Sequence, residues 1–118
     1  MAKVAIVVLA NTESHEGLGR VVNALVTARE FKEHHDELRL IFDGAGTQGL
    51  ASVAQPDSKA HALFEEIREA ITGACSYCAV AFGVREALRE NGIPLLDEYA
   101  HHPSLRTLIS EGFQVLTF

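Results

Sequence analysis

The chain has 118 residues, of which 47% are hydrophobic and 22% are charged, a composition typical of a folded globular protein. The length predicts one domain covering residues 1–118. Ten basic and sixteen acidic side chains give a net charge of −6 without a cluster of Lys or Arg, which argues against nucleic acid or a membrane as a partner. No apolar run approaches the roughly 18 residues of a membrane span, and no signal peptide is recognisable, so we expect a cytoplasmic protein.

The N-terminal third of the chain predicts a strand followed by a long helix. Residues 3–10, KVAIVVLA, form a continuous β-branched run of the kind found in strands buried on both faces of a parallel sheet. Residues 14–33 carry apolar side chains with a period near 3.6, which predicts an amphipathic helix. Thr12 or Ser14 is the expected N-cap.

The middle of the chain predicts a second strand and a second helix, separated by a long loop. The strand covers residues 38–42 and ends in the turn signal Asp43-Gly44-Ala45-Gly46. Residues 44–57 are expected to be irregular, with at most a short helical turn near residues 50–53. Pro56 and Asp57 then open a helix over residues 58–70.

The remainder of the chain continues to alternate between strands and helices. The predicted elements are a short strand in residues 73–77, two helices at 78–82 and 84–90 separated by Gly83, a strand at 93–96, a helix at 103–111 and a strand at 113–118. This alternation predicts an α/β fold, a three-layer α/β/α sandwich with a mostly parallel, five-stranded sheet in a flavodoxin-like arrangement.

Ligands of open α/β sheets bind at the carboxyl ends of the strands, and the chain delivers polar side chains there. The candidate substrate-binding residues at this edge are Asn11, His15, Asp43 and Tyr77. Both cysteines fall at the same edge, three residues apart. In a cytosolic protein such a pair is typical of redox, catalytic or metal chemistry rather than of a structural disulfide.

Cys78 is the candidate nucleophile because the sequence predicts it in the first turn of a helix. Backbone N–H groups at a helix start favour negative charge, and the thiolate is the reactive form of cysteine. Cys75 is a candidate catalytic helper, although a small buried strand residue is an equally simple interpretation.

Five segments carry a resemblance to a known family: the opening strand KVAIVVL, the strand end FDGAG, the helix CAVAFG from Cys78 to Gly83, the helix stop NGI, and the closing GFQVLTF. In these segments, spread over the whole chain, the sequence resembles the DsrE/DsrF-like family, whose fold is called YchN-like. The resemblance implies a sulfurtransferase-like persulfide relay, in which the cysteine after the third strand, here Cys78, accepts sulfur and passes it to a protein partner. It also implies a homo-oligomer, such as a trimer or hexamer. The second cysteine, Cys75, departs from the family pattern.

Two other cysteine chemistries remain open. Cys75-Ser-Tyr-Cys78 has the C-x-x-C form of thiol–disulfide redox proteins, but it follows the third strand and has no Trp beside it. The pair could also join His101 or His102 around zinc, although adjacent histidines seldom point the same way. We predict neither a metal nor an organic cofactor.

Two further interpretations do not involve the cysteines. Residues 44–49 match G-x-G-x-x-G, but a loop and Pro56 are expected to follow, and Asp43 would repel a pyrophosphate. A flexible turn is therefore predicted there. The chain could also be a non-enzymatic, oligomeric binding module, and the reactivity of Cys78 at neutral pH distinguishes this function from sulfur transfer.

Overall fold

The computed structural model describes residues 1–118 and contains a five-stranded sheet in which every strand pairing is parallel. The strands are β1 (Lys3–Val8), β2 (Glu37–Phe42), β3 (Ile71–Cys75), β4 (Leu95–Leu96) and β5 (Gln114–Thr117). The predicted α/β fold with a parallel, five-stranded sheet is confirmed. The strand order is β4-β3-β2-β1-β5, which places β1 between β2 and β5 and differs from the flavodoxin order 2-1-3-4-5.

Six helices connect the strands: α1 (His15–Glu33), α2 (Gly46–Val53), α3 (His61–Ile67), α4 (Ser76–Ala81), α5 (Arg85–Glu90) and α6 (Leu105–Ser110). Ser14 caps α1, because its side chain accepts a hydrogen bond from the backbone N–H of Gly17 at 2.9 Å. None of the helices combines the length and the apolar content needed to cross a membrane.

The core is distributed unequally over the two faces of the sheet. Alternate residues of β1, including Val4 and Ile6, belong to a cluster of 20 buried residues that includes the inner faces of α1 and α3. On the other face, Ala5 belongs to a cluster of only four buried residues, which α6 contributes to through Leu108. The sheet is therefore anchored chiefly by one layer of helices.

The loop predicted for residues 44–57 is wrong over residues 46–49, because α2 already begins at Gly46 and includes the helical turn expected near residues 50–53. A Cβ atom on Gly46 would lie 1.9 Å from the carbonyl oxygen of Val8, so only glycine lets this helix start against the end of β1. Gly49 packs in the same way, since a Cβ atom there would lie 2.7 Å from the carbonyl oxygen of Ala10, whereas Gly44 adopts a positive φ of 53°. Close packing and backbone conformation together account for the G-x-G-x-x-G pattern without a nucleotide.

Two other helix boundaries differ from the prediction. The helix predicted at residues 58–70 starts at His61, and its last turn, Arg68–Ala70, is a 3₁₀ helix. The helix predicted from Cys78 begins two residues earlier at Ser76, because β3 already ends at Cys75. This second shift changes the environment of both cysteines.

Candidate functional site

Four side chains from separate parts of the chain meet at the carboxyl edge of the sheet. They are Asp43, Cys75, Cys78 and His102, and one potential ligand atom from each lies within 4.8 Å of all the others. Asp43 follows β2, Cys75 ends β3, Cys78 is the third residue of α4, and His102 lies between β4 and α6. We refer to these four residues as the cysteine cluster.

Cys75 is the central and most buried member of the cysteine cluster. Its Sγ atom lies 3.1 Å from Nδ1 of His102 and accepts a hydrogen bond from the backbone N–H of Cys78 at 3.3 Å. Burial raises the pKa of the Cys75 thiol to about 12, and hydrogen bonding to the Cys78 side chain and the nearby Asp43 carboxylate act in the same direction. Cys75 is therefore a protonated thiol at neutral pH.

Cys78 is the more accessible of the two thiols, with 9% of its surface exposed against none for Cys75. Both are free. The N–H groups at the start of α4 do not point at its sulfur: that of Tyr77 donates to the carbonyl of His101, and that of Cys78 donates to Cys75. The residue that caps α4 is Cys75, so the expected stabilisation of a Cys78 thiolate by the helix start is not the arrangement observed.

A tight turn holds His102 against the cysteines. Tyr99 and His102 exchange two backbone hydrogen bonds of 2.9 and 2.8 Å, and the two residues between them have positive φ angles, 51° for Ala100 and 67° for His101. This is the pattern of a type I′ hairpin turn, for which Asn-Gly is the preferred pair. The ring of Tyr77 packs on the His102 imidazole with centroids 4.9 Å apart.

The predicted site residues divide between two places. Asp43, Cys75 and Cys78 come together in the cysteine cluster, and Tyr77 contacts it through His102. Asn11 instead donates a side-chain hydrogen bond to Gln48 at 3.1 Å, and His15 is exposed at the start of α1; neither belongs to the cluster.

His102 is the one member of the cysteine cluster that is absent from the site residues predicted from the sequence. His101 and His102 are equivalent zinc-ligand candidates in the sequence, but only His102 belongs to the cluster, while His101 is exposed at a turn position with positive φ. The turn itself has no sequence signature, since Ala-His replaces the usual Asn-Gly. The cluster's two sulfurs, one imidazole nitrogen and one carboxylate oxygen are all groups that can ligate a transition metal.

No protein-family model matches the chain. The uncharacterized protein MJ0733 of Methanocaldococcus jannaschii is 23% identical over 96 residues, which cover 81% of this chain and 78% of that protein.

Two solved structures are similar to this chain over nearly their whole length. BT1422 of Bacteroides thetaiotaomicron, a conserved protein of unknown function, has a TM-score of 0.66 and 18% identity, with coverage of 97% of this chain and 94% of that chain. The ychN protein of E. coli has a TM-score of 0.62 and 20% identity, with full coverage of both chains. The predicted YchN-like fold is thereby confirmed, and at these identities the likeness concerns the fold alone.

Proposed function

We propose that the chain is a sulfur carrier that accepts sulfane sulfur on Cys78 and passes it to a protein partner. The observation that carries the proposal is the position of Cys78: it is the more accessible thiol of a cluster that also contains two proton-accepting groups, Asp43 and His102. A YchN-like fold and two neighbouring cysteines at the ligand-binding edge of its sheet are compatible with this chemistry.

Sulfur loading on Cys78 is a thiol–persulfide exchange. The Cys78 thiol gives its proton to a nearby base, and its sulfur attacks the outer sulfur of a donor persulfide. A new S–S bond forms on Cys78 while the donor's S–S bond breaks, and the donor leaves as a thiolate that takes up a proton. Delivery repeats the exchange in reverse, with an acceptor nucleophile attacking the outer sulfur and Cys78 leaving.

Cys75 has a protective role in this proposal. Attack of Cys75 on a Cys78 persulfide would form a disulfide and release sulfide, and the reaction requires a Cys75 thiolate. Because the pKa of Cys75 is raised to about 12, that thiolate is scarce at neutral pH. A sulfur atom on Cys78 therefore persists long enough to be transferred.

The surface around Cys78 supports transfer to a protein rather than to water. Tyr77 and Val80 on α4, and Tyr99 in the adjoining turn, expose 56%, 62% and 73% of their surfaces. Aromatic side chains such as these two tyrosines are enriched where proteins contact one another. Self-association of the chain into a trimer or hexamer would use such surfaces as well.

The test is the reactivity of each cysteine in the folded protein. We expect iodoacetamide to label Cys78 near neutral pH, and the metal-free protein to gain the mass of one sulfur atom from a persulfide donor. Cys78→Ser should lose the labelling near neutral pH and the gain of one sulfur atom, whereas Cys75→Ser should retain the labelling and the gain. Labelling of Cys78 only after unfolding would overturn sulfur transfer and favour the oligomeric binding module.

The same experiment examines the protective role of Cys75. In Cys78→Ser, the remaining thiol should stay unlabelled until the pH approaches about 12 or the protein unfolds. Asp43→Asn removes the charge that raises the pKa of Cys75, and should speed its labelling at alkaline pH only in part, because burial is the larger cause. Fast labelling of Cys75 at pH 7 would contradict the role.

A further inference from the structure

We infer that Asp43, Cys75, Cys78 and His102 form a binding site for one zinc ion. This site goes beyond the proposed function and does not depend on it. The two sulfurs, one imidazole nitrogen and one carboxylate oxygen make a four-atom donor set drawn from four separate parts of the chain. Zinc prefers four such donors in tetrahedral geometry, and a C-x₂-C pair is a common source of two of them.

The spacing of the donor atoms approaches this geometry. Zinc–sulfur bonds of about 2.3 Å and zinc–nitrogen bonds of about 2.0 Å give tetrahedron edges of about 3.3–3.8 Å. The cluster's donor atoms all lie within 4.8 Å of one another, and Sγ of Cys75 is 3.1 Å from Nδ1 of His102. Shifts of about 1 Å or less would therefore complete the coordination.

The groups around the donors hold them in place. The Asp43 carboxylate accepts the backbone N–H of Gly44 at 2.8 Å, and the Cys75 sulfur accepts that of Cys78. The ring of Tyr77 packs against the imidazole of His102. Contacts of this kind orient ligands and strengthen metal binding in known sites.

The binding reaction is balanced without any change of oxidation state. Zinc displaces one proton from each thiol to solvent, forms two Zn–S bonds, and takes a lone pair from neutral His102 and one from the Asp43 carboxylate. The centre then carries a net charge of −1. Because the Cys78 sulfur is bonded to zinc, a zinc-loaded chain cannot accept sulfur, so metal and persulfide compete for the same atom.

The experiment titrates the reduced, chelator-treated protein with zinc sulfate and measures the stoichiometry by native mass spectrometry. We expect one zinc per chain, and a thiolate-to-metal absorption band when cobalt(II) replaces zinc. His102→Asn should weaken zinc binding at least about tenfold, since it removes a ligand itself rather than a supporting group. The matched variant His101→Asn should bind like the wild type, because it alters the neighbouring imidazole and keeps the cluster.

Three results would overturn the site. They are the absence of stoichiometric zinc in the wild type, wild-type zinc affinity in both histidine variants, or an equal loss of zinc affinity in both variants. Circular dichroism of each variant, with Cys78→Ser as a second ligand deletion, separates lost ligation from lost folding. Persulfide loading is measured on metal-free protein. Failure of loading with intact zinc binding therefore rejects sulfur transfer alone, and failure of zinc binding with intact loading rejects the metal site alone.

Discussion

The carboxyl edge of the sheet has two halves that are built in opposite ways. Over β1, glycines of α1 and α2 press against the backbone: a Cβ atom on Gly17 would lie 2.3 Å from the carbonyl oxygen of Asn11, and one on Gly49 would lie 2.7 Å from that of Ala10. Over β2 and β3, the edge is occupied by the side chains of the cysteine cluster. We refer to the two halves as the glycine half and the cluster half.

A depression at this edge of the sheet lies outside the cysteine cluster. A cleft of about 400 Å³ lies in the glycine half, where it is lined by residues including Asn11, Glu16 and Arg20. Its acidic and basic side chains are paired with each other, Arg20 Nε lying 3.2 Å from a Glu16 oxygen. The cluster half instead brings two thiols, one imidazole and one carboxylate within 4.8 Å of one another. The chemistry we propose therefore rests on this grouping of side chains rather than on cavity size.

Gly46→Ala gives the largest expected effect, in the glycine half. The new methyl group would collide with the carbonyl oxygen of Val8, which β1 cannot move without disturbing the centre of the core. Overpacking of this kind costs about 3 kcal/mol or more of the free energy of unfolding. Urea denaturation followed by circular dichroism measures the change.

The matched control is Gly19→Ala, which makes the same substitution where a Cβ atom has nothing within 4 Å. Gly19 lies within α1, so alanine should raise the free energy of unfolding by up to about 1 kcal/mol. Equal effects of the two substitutions would contradict the distinction between a packed and an open glycine.

Ala100→Gly is expected to stabilise the cluster half by about 1 kcal/mol, because glycine adopts a positive φ without the penalty alanine carries. The hydrogen bonds between Tyr99 and His102 are formed by backbone groups and remain available. Thermal unfolding tests the gain. Ala62→Gly, in the exposed face of α3, should show the opposite sign, and destabilisation in both variants would reject strain in the turn.

His34→Gln gives the smallest expected effect and lies far from both halves, at the end of α1. The carbonyl of Glu30, 2.8 Å from Nδ1, raises the pKa of His34 above 6.5. The stabilising contribution of the charged ring is therefore present below about pH 6.5 and is lost as pH rises through the higher pKa of the folded state.

Urea unfolding of wild type and His34→Gln should accordingly differ slightly near pH 5.5 and converge by about pH 8. The labelling rate of Cys78 should be the same in both proteins. A larger difference at alkaline than at acidic pH would show that the charged ring does not stabilise the end of α1.

The strands and the long helix could be predicted because their patterns are local. Residues 3–8 are apolar without interruption, and Ser14 is a standard helix cap. The start of α2 could not be predicted, because the need for glycine at position 46 is set by the carbonyl of Val8, 38 residues earlier in the chain.

Part of the candidate site could also be predicted from the sequence. Asp43, Cys75 and Cys78 follow strands that end at one edge, so their proximity follows from the parallel sheet. Which cysteine caps α4 depends on a boundary shift of two residues, and boundaries are the least certain part of a sequence pattern. The choice of His102 over His101 depends on a turn in which Ala100 and His101 adopt positive φ angles, a conformation that neither residue type favours.

The pairing of β5 with β1 has a consequence for how the chain folds during synthesis. Residues 114–117 align with residues 4–7, so one edge of the apolar first strand stays open until the fifth strand has left the ribosome. A long-range parallel pairing of this kind forms slowly, and an unpaired apolar strand is a template for aggregation. We therefore expect the chain to be prone to aggregation until β5 pairs with β1.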